Sequence, residues 1–449
     1  MRLIDAISVE KTSRIAFVGA GGKTTAMFRL ARQAKTAGMD LIFCSATTHL
    51  AEEQLELADQ HIILNTMDDL HRLDAISAEG VVLLTGPLGE DGRTKGLSLE
   101  LISEVDKLAS RYHAALLIEA DGARSKPLKA PADHEPVIPP WVERVVVVVG
   151  MSGLGKPLTE EVVHRPDIFG ELAGLQRGEV IGIEALSQVL LSEAGGMKGI
   201  PSRARRIVIL NQCDDIEKAA QGKLLSEKLK LGYGQVILSK LAKSSPDEVI
   251  AVNRRIAGII LAAGGSVRMG QPKQLLDWHG KAFVRAVAET ALSSGLAQVI
   301  VVTGAYQNEV DEALEGLHVV LRHNPDWTEG QASSVRKAIE SLSPADQDVY
   351  GVIFFLVDQP QISVALVQSL LDTYHTSLSP IVAPLINDRR GNPVLFDQMT
   401  FGELSQLTGD AGGRQVFSRF EVNYIPWLDD KMGLDVDTLE DYKRLLRDE

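Results

Sequence analysis

With 449 residues, 45 % hydrophobic and 24 % charged, the chain is too long for one ordinary core and too apolar to stay disordered, so two or three globular domains are expected. A formal net charge of −14 argues against a nucleic-acid partner and against an anionic membrane surface, so any phosphate site must be basic only locally. No apolar run approaches the roughly 20 residues of a membrane span, and MRLIDAISVEK carries acids where a secretory leader needs a long apolar stretch, which predicts a cytoplasmic protein.

In the first half, apolar segments recur at Ile15 to Val18, Leu41 to Phe43, Val81 to Leu84, Ala115 to Ile118, Val145 to Val149 and Ile207 to Leu210. Several are β-branched, most run into a turn signal, and amphipathic stretches such as Thr25 to Ala37 and Leu99 to Ser110 lie between some of them. This alternation predicts an α/β fold with a parallel sheet covered by helices. Cys44 and Cys213 each close an apolar run, which fits small buried hydrophobes in a reducing compartment better than a disulfide scaffold.

The first segment feeds GAGGKTT, Gly19 to Thr25. The full phosphate-loop pattern needs a glycine where Phe17 stands, but the shorter form G-x-x-G-K-[ST] is met by Gly19, Gly22, Lys23 and Thr24. Gly19, Gly21 and Gly22 permit a tight turn, and N–H groups at the start of the helix carrying Thr25 face an anion. Lys23 would then reach terminal phosphates of ATP or GTP, and the Thr24 hydroxyl would meet magnesium. The plain alternative is a glycine bend with a solvated lysine. A later strand ends in Glu119 and Asp121, where a carboxylate would hold the magnesium shell, although an Asp-Gly turn explains the same residues. Thr47, Thr48 and His49 form a candidate metal or phosphate sensor, against the ordinary use of Thr at strand ends. Asn211 to Asp214, NQCD, stand where a base-reading N-K-x-D motif would, with Gln212 in place of Lys; an Asx-type turn is the equal alternative.

Through VGAGGKTT, IEADGARSKPLKAP, GKPLTEEVVHRP and NQCD, residues 1 to about 240 resemble YqeC, an accessory protein for selenium-dependent molybdenum hydroxylases. The resemblance implies nucleotide binding and a molybdenum hydroxylase apoenzyme as partner, and it marks Lys126, Lys129, His164 and Arg165 as anion contacts. Without it, those four are a solvated loop and a helix entry before Pro166. Ser, Pro and clustered charges between Leu241 and Arg255 place the join near residue 250, giving domains at 1–250 and 251–449.

The second half opens on IILAAGGSVRMGQPKQLL, an apolar run that breaks at Ala262 into a loop carrying Ala263, Gly264, Gly265, Ser266 and Gly270, with Arg268 and Lys273 as cations. Glycines let N–H groups approach a polyphosphate while one forked and one mobile cation flank it; the bland reading is a glycine-rich turn with two solvated charges. Apolar runs at Val299 to Val302, Val319 to Leu321, Val352 to Val357 and Ile381 to Ala383 alternate with helical patterns at Phe283 to Leu292 and Val364 to Leu371. They predict a second doubly wound, mostly parallel sheet, with ligands at the carboxyl ends of its strands. Asp358 follows one such strand, and a carboxylate facing a polyphosphate needs a divalent cation between them, so Asp358 is a candidate magnesium ligand. Asn324, Trp327 and Glu329 to Ser334 form a candidate base and ribose site. Gly330 permits a turn there, and Ser333 and Ser334 offer hydroxyls and N–H groups at a helix start, as they would in a plain capped helix. Asp435 and Asp437 offer a second metal ligand, and Asp437 is also placed to cap the helix beginning near Leu439.

The blocks LAAGGSVRMGQPK, NPDWTEGQASSV, VDQP, RRGNPVLF, GDAGGR and LDVDTLEDY occur in the order found in MobA-like nucleotidyltransferases, and from Gly258 onward the chain resembles their molybdenum cofactor cytidylyltransferase branch. The resemblance implies a Rossmann-like nucleotidyltransferase domain behind the P-loop-like one. It implies Mg²⁺-dependent transfer of CMP from CTP to the phosphate of the molybdopterin cofactor, with release of pyrophosphate. Arg268, Lys273 and Asp358 take the catalytic roles, Asp435 is the second metal ligand in preference to Asp437, and Asn392, Asp410 and Arg414 line the acceptor. CTP rests on Ala263, because LAAG rather than LAGG accompanies cytidine transfer in the family. Gly-Asn-Pro at Gly391 to Pro393 replaces the Gly-His-Pro common in the branch. The rival readings are another pyrimidine nucleotidyltransferase acting on a sugar or alcohol phosphate, and a P-loop chaperone that delivers cofactor to a hydroxylase.

Overall fold

Runs such as RVVVVVG and RRIVILN are apolar on both faces, a pattern that suits only strands covered by helices on each side. The computed structural model describes residues 1–75, 79–241, 248–265, 269–342, 348–409 and 412–447, and the chain forms two units, Met1–Asn253 and Arg254–Glu449.

In the first unit the principal elements are β1 (Arg14–Gly19), α1 (Lys23–Thr36), β2 (Leu41–Ala46), β3 (Gln60–Ile63), β4 (Gly80–Thr85), α2 (Leu99–Arg111), β5 (Ala115–Glu119), β6 (Arg144–Gly150), β7 (Arg205–Asn211), α3 (Ile216–Leu229) and β8 (Gln235–Ser239). They build a parallel sheet in the order β8-β7-β6-β1-β5-β2-β4-β3. All six strands expected from apolar runs are present; β3 and β8, unforeseen, have four and five residues, too few for a period to be read. Ala16 is opposite Ile118 on one side and Val145 on the other, so the turn after β1 and the acids after β5 leave neighbouring strands at the same end of the sheet. Side-chain caps start α2 and α3: the Ser98 hydroxyl accepts from Leu101 N, and the Asp215 carboxylate from Lys218 N. Cys44 and Cys213 are buried free thiols.

The division falls within β9 (Val249–Ala262), so the strand expected from Gly258 begins at Val249, and the polar stretch AVNRR is strand rather than linker. Its polar residues are buried in pairs: Asn253 donates to the Ser226 hydroxyl, and Arg254 donates to Asp397 at 3.0 Å and to Tyr374 at 3.1 Å. The second unit continues with α4 (Phe283–Ser293), β10 (Gln298–Thr303), β11 (Val320–His323), α5 (Gln331–Ser341), β12 (Val349–Leu356), α6 (Val364–Ser377), β13 (Ile381–Ile386), β14 (Val394–Asp397), β15 (Val422–Trp427) and α7 (Leu439–Leu445). Its sheet runs β11-β10-β9-β12-β14-β13-β15, with β14 antiparallel to both neighbours and the other pairings of this series parallel. The antiparallel strand comes from RRGNPVLF, a stretch expected only to serve the acceptor. Among the described residues no helix is long and apolar enough to cross a membrane.

Arg254, with a side chain 5 % exposed, stands at the start of this sheet and depends on Asp397 for its counter-charge. Replacing Asp397 by Ala leaves that guanidinium buried and uncompensated. The second unit is expected to lose about 3–5 kcal/mol, read as a fall in its urea unfolding midpoint.

Candidate functional site

In the first unit, β1 and β5 bring GAGGKTT against Glu119 and Asp121. Gly21 and Gly22 have φ of +77° and +124°, and a Cβ on them would lie 2.3 Å from Gly150 N and 2.6 Å from Asn211 Nδ2, so only glycine makes this turn. Lys23, Thr24 and Thr25 open α1 with no side-chain cap, leaving the helix N-terminus presented as the motif predicts.

The charges around it are satisfied internally. Both oxygens of Asp121 accept from Gly19 N, at 3.1 and 3.0 Å. Lys23 donates to Gly19 O at 2.8 Å and lies 3.4 Å from Asp121 and 3.6 Å from Glu119, while the Thr24 hydroxyl donates to Glu119 at 2.7 Å. Burial alone would lower the Lys23 pKa, but the Asp121 and Glu119 carboxylates more than offset it and hold the amine above the usual lysine range. Lys129 donates to Gly122 O at 2.7 Å and to Asp121 and Glu135 at 2.8 Å each, and Arg165 donates to Glu135 at 2.7 Å. Lys129 and Arg165, expected to meet an external anion, are thus engaged by carboxylates of the chain, because burying them required counter-charges. Burial opposes the ionised form of Glu135, yet its bonds from Arg165 and Lys129 bring it down to about 2. His164 is lowered to about 4, by burial first and then by Arg165 and Lys129. The carbonyl of Lys126 accepts from Gly21 N.

Asn211 is buried beside the same turn. Its amide donates to Gly21 O at 2.8 Å, and its oxygen accepts from Ser239 Oγ and Leu241 N, so the residue buttresses the glycine turn. The Thr47 hydroxyl donates to Val137 O and the His49 ring bonds Thr94 O, which ties two of the three candidate sensor residues to backbone carbonyls.

In the second unit, a cleft of about 370 Å³ opens where β9 and β12 end, lined among others by Ala263, Gly264, Gly265, Lys273, Trp327, Gly330, Ser334 and Asp358. A Cβ on Gly265 would meet the Trp327 ring at 2.9 Å, so the turn and the indole share one space. Ser266 and Arg268 lie outside the described residues. Ala262 is buried; its carbonyl and that of Gly264 accept from Gln274 Nε2 at 3.4 and 3.1 Å, a brace that no motif announced. Asn324 donates to the Ser333 and Ser334 hydroxyls at 2.8 and 3.0 Å, and Ser333 donates to Gly330 O at 2.8 Å. Asn324 and Ser333, expected to meet the nucleoside, instead turn inward and shape the start of α5; Gly330 and Ser334 remain on the cleft wall.

Asp358 leaves β12 3.8 Å from Lys273, whose amine also meets Asp437. The Asp358 carboxyl is pushed up to about 6, by burial first and by neighbouring Asp435 next. Its Oδ1 is buried with no hydrogen-bond partner among the described residues. Val436, fully buried with Met269, Phe283 and Leu445, anchors the segment between the two later aspartates, and its N–H donates to Asp358 O at 3.1 Å. Asp437 does not cap α7. Thr438 does: its hydroxyl accepts from Asp441 N at 3.2 Å, and Asp441 accepts from Thr438 N at 2.8 Å. Among the described residues no group of three or more His, Cys, Asp or Glu is placed to hold a metal. The Asp358 and Asp435 pair nevertheless suits Mg²⁺, which uses one or two carboxylates beside phosphate and water, and the partnerless Oδ1 is the atom such an ion would satisfy.

Toward the acceptor, Gly409 O accepts from Ala332 N at 3.0 Å, which ties the loop before Asp410 to the start of α5. Asp410 and the side chain of Arg414 lie outside the described residues. Asn392 is half-buried in the turn leading into β14 and does not line the cleft.

Residues 15–167 match the YqeC protein family, and residues 258–423 match the MobA-like NTP transferase domain. The chain is 31 % identical over 233 residues to the protein YqeC of Escherichia coli strain K12, covering 50 % of this chain and 85 % of that one. Its first half belongs to the YqeC family and its second half to the MobA-like NTP transferases. The MobA-like half is 34 % identical over 208 residues to nicotine blue oxidoreductase of Paenarthrobacter nicotinovorans, covering 42 % of this chain and 96 % of that one. It is 27 % identical over 187 residues to the molybdenum cofactor cytidylyltransferase of Escherichia coli strain K12, covering 41 % of this chain and 92 % of that one.

In the YqeC unit the buried amine of Lys23 is the positive partner of Glu119. Lys23→Met is expected to cost that unit about 3–5 kcal/mol in urea unfolding while the MobA-like unit unfolds as before.

Proposed function

We propose that the MobA-like unit transfers CMP from CTP to the terminal phosphate of the molybdopterin cofactor with Mg²⁺, releasing pyrophosphate, in the cytoplasm. The YqeC unit, in this reading, binds ATP or GTP and serves a molybdenum hydroxylase. The observation that carries the reading is the Asp358 carboxylate, set at the end of a central strand with a buried, partnerless oxygen beside Asp435 and Lys273. Asp358 and Asp435 would hold the Mg²⁺. When bound, that ion neutralises the triphosphate and draws charge from the α-phosphorus.

The residues of the chain supply alignment and further charge. The Gly264 and Gly265 turn admits the triphosphate against the backbone, and Lys273, with Arg268 from the same loop, balances the pyrophosphate as it departs. Gly330 and Ser334 border the nucleoside. Asn392, Asp410 and Arg414 are assigned to the acceptor. An oxygen of the acceptor phosphate bonds to the α-phosphorus as the bond from that phosphorus to the bridging α–β oxygen breaks, in line, so no protein nucleophile is required. CTP as donor rests on Ala263 in the cleft wall and on the cytidylyltransferase relative.

A second reading rests on the relative named as an oxidoreductase, whose identity to the second half is the higher of the two. Incubating the protein with Mg²⁺, molybdopterin-bound molybdenum and each nucleoside triphosphate in turn separates the two. A cytosine dinucleotide is expected from CTP alone, and Asp358→Ala is expected to lower kcat roughly 10²–10³-fold. A guanine dinucleotide would replace the donor. No transfer product from any triphosphate would overturn the reading and favour redox chemistry.

A further inference from the structure

The second carboxylate of the site has an awkward position. Asp435 is exposed, and the neighbouring Asp358 repels it. A buried side chain holds one of its oxygens. Gln359, only 2 % exposed, donates from Nε2 to Asp435 Oδ1 at 2.6 Å. A carboxylate only accepts, so the amide NH₂ must face it, and the other amide atom, Oε1, is left buried with no hydrogen-bond partner among the described residues.

The surrounding backbone makes the contact specific. Gln359 N bonds Leu356 O at 3.3 Å, and Val436 N bonds Asp358 O at 3.1 Å, which sets the loop after β12 beside the Asp435 segment. Gln361 donates to Lys431 O at 3.1 Å and to Leu434 O at 2.7 Å and pins the same segment just before Asp435. These bonds bring the segment alongside, and the Gln359 amide donates to the carboxylate itself.

We propose that Gln359 is a positioning residue that holds Asp435 toward Asp358 so that the two carboxylates share one divalent cation. This rests on reading that pair as the metal site. An amide that orients a metal-bound carboxylate commonly governs metal affinity by 10–100-fold, whereas a mere packing residue governs only stability.

The test uses the full-length chain and Mn²⁺ as probe, with free Mn²⁺ followed by electron paramagnetic resonance in the presence of CTP. Gln359→Met keeps the side-chain size and removes the donor. It is expected to weaken Mn²⁺ binding roughly 10–100-fold and to raise the half-saturating Mg²⁺ for turnover by a similar factor, with kcat recovering at saturating Mg²⁺ and the metal-free melting temperature close to wild type. Unchanged Mn²⁺ binding in Gln359→Met overturns the proposal, as does a melting temperature that falls while metal affinity holds. If Gln359→Met fails to fold, Gln359→Glu retains the length and sets an acceptor against Asp435; weaker Mn²⁺ binding is again expected, and unchanged or tighter binding overturns the proposal. Asp358→Asn in the same titration separates the two levels. If it leaves Mn²⁺ binding intact, the metal reading itself falls; if it abolishes binding while Gln359→Met does not, only the positioning role falls.

Discussion

Buried charge must be shared, and the two units share it in opposite ways. In the YqeC unit Lys23, Lys129 and Arg165 stand against Glu119, Asp121 and Glu135, three cations to three anions, each joined to at least one of the others within 3.6 Å. In the MobA-like unit, among the described residues at the cleft, Lys273 stands against Asp358 and Asp437 with Asp435 close by. The first arrangement is balanced within the chain. Among the described residues the second holds more negative than positive charge, and the Asp358 carboxyl is raised there, by burial first and by Asp435 next.

That contrast gives the YqeC turn a particular meaning. Its helix starts with no side-chain cap, and the Gly19 N–H holds the Asp121 carboxylate. An incoming phosphate at that N–H meets a competitor tethered by Lys23 and Lys129. Turn and acids therefore belong to one device, although they lie about a hundred residues apart in the sequence.

What the sequence made legible follows from the same physics. Strands buried on both faces must be continuous apolar runs, so the centres of both sheets could be read directly, as could the glycine turns and Asp358. Contacts between distant polar residues leave no period. Lys129 and Arg165 looked like free anion contacts because nothing local shows that Glu135 answers them. Asn253 and Arg254 read as linker because their partners, Ser226, Tyr374 and Asp397, are far away in the chain. The cap of α7 was different: Thr438 followed by Asp441 is a readable capping box, and the competing choice of Asp437 overlooked it. Gln359 and Gln361 carried no charge pattern, and their roles emerge only when the loop after β12 meets the Asp435 segment.

That meeting also bears on why Asp435 sits on a late, irregular segment rather than on the sheet. Lys273 and Asp358 are fixed by elements that pack regardless of Asp435, but two aspartates delivered by rigid neighbouring strands would repel from the moment the sheet forms. Placing the second on a segment held by one apolar plug and a few hydrogen bonds lets the pair form last. Burying Val436 contributes roughly 1.5–3 kcal/mol toward docking that segment, and the bonds from Gln359, Gln361 and the Val436 N–H contribute about 1 kcal/mol each. Their sum, roughly 4.5–7 kcal/mol, exceeds the about 1–4 kcal/mol by which two carboxylates about 4 Å apart repel at the edge of a protein. The segment therefore docks beside Asp358 through its own contacts, against that repulsion.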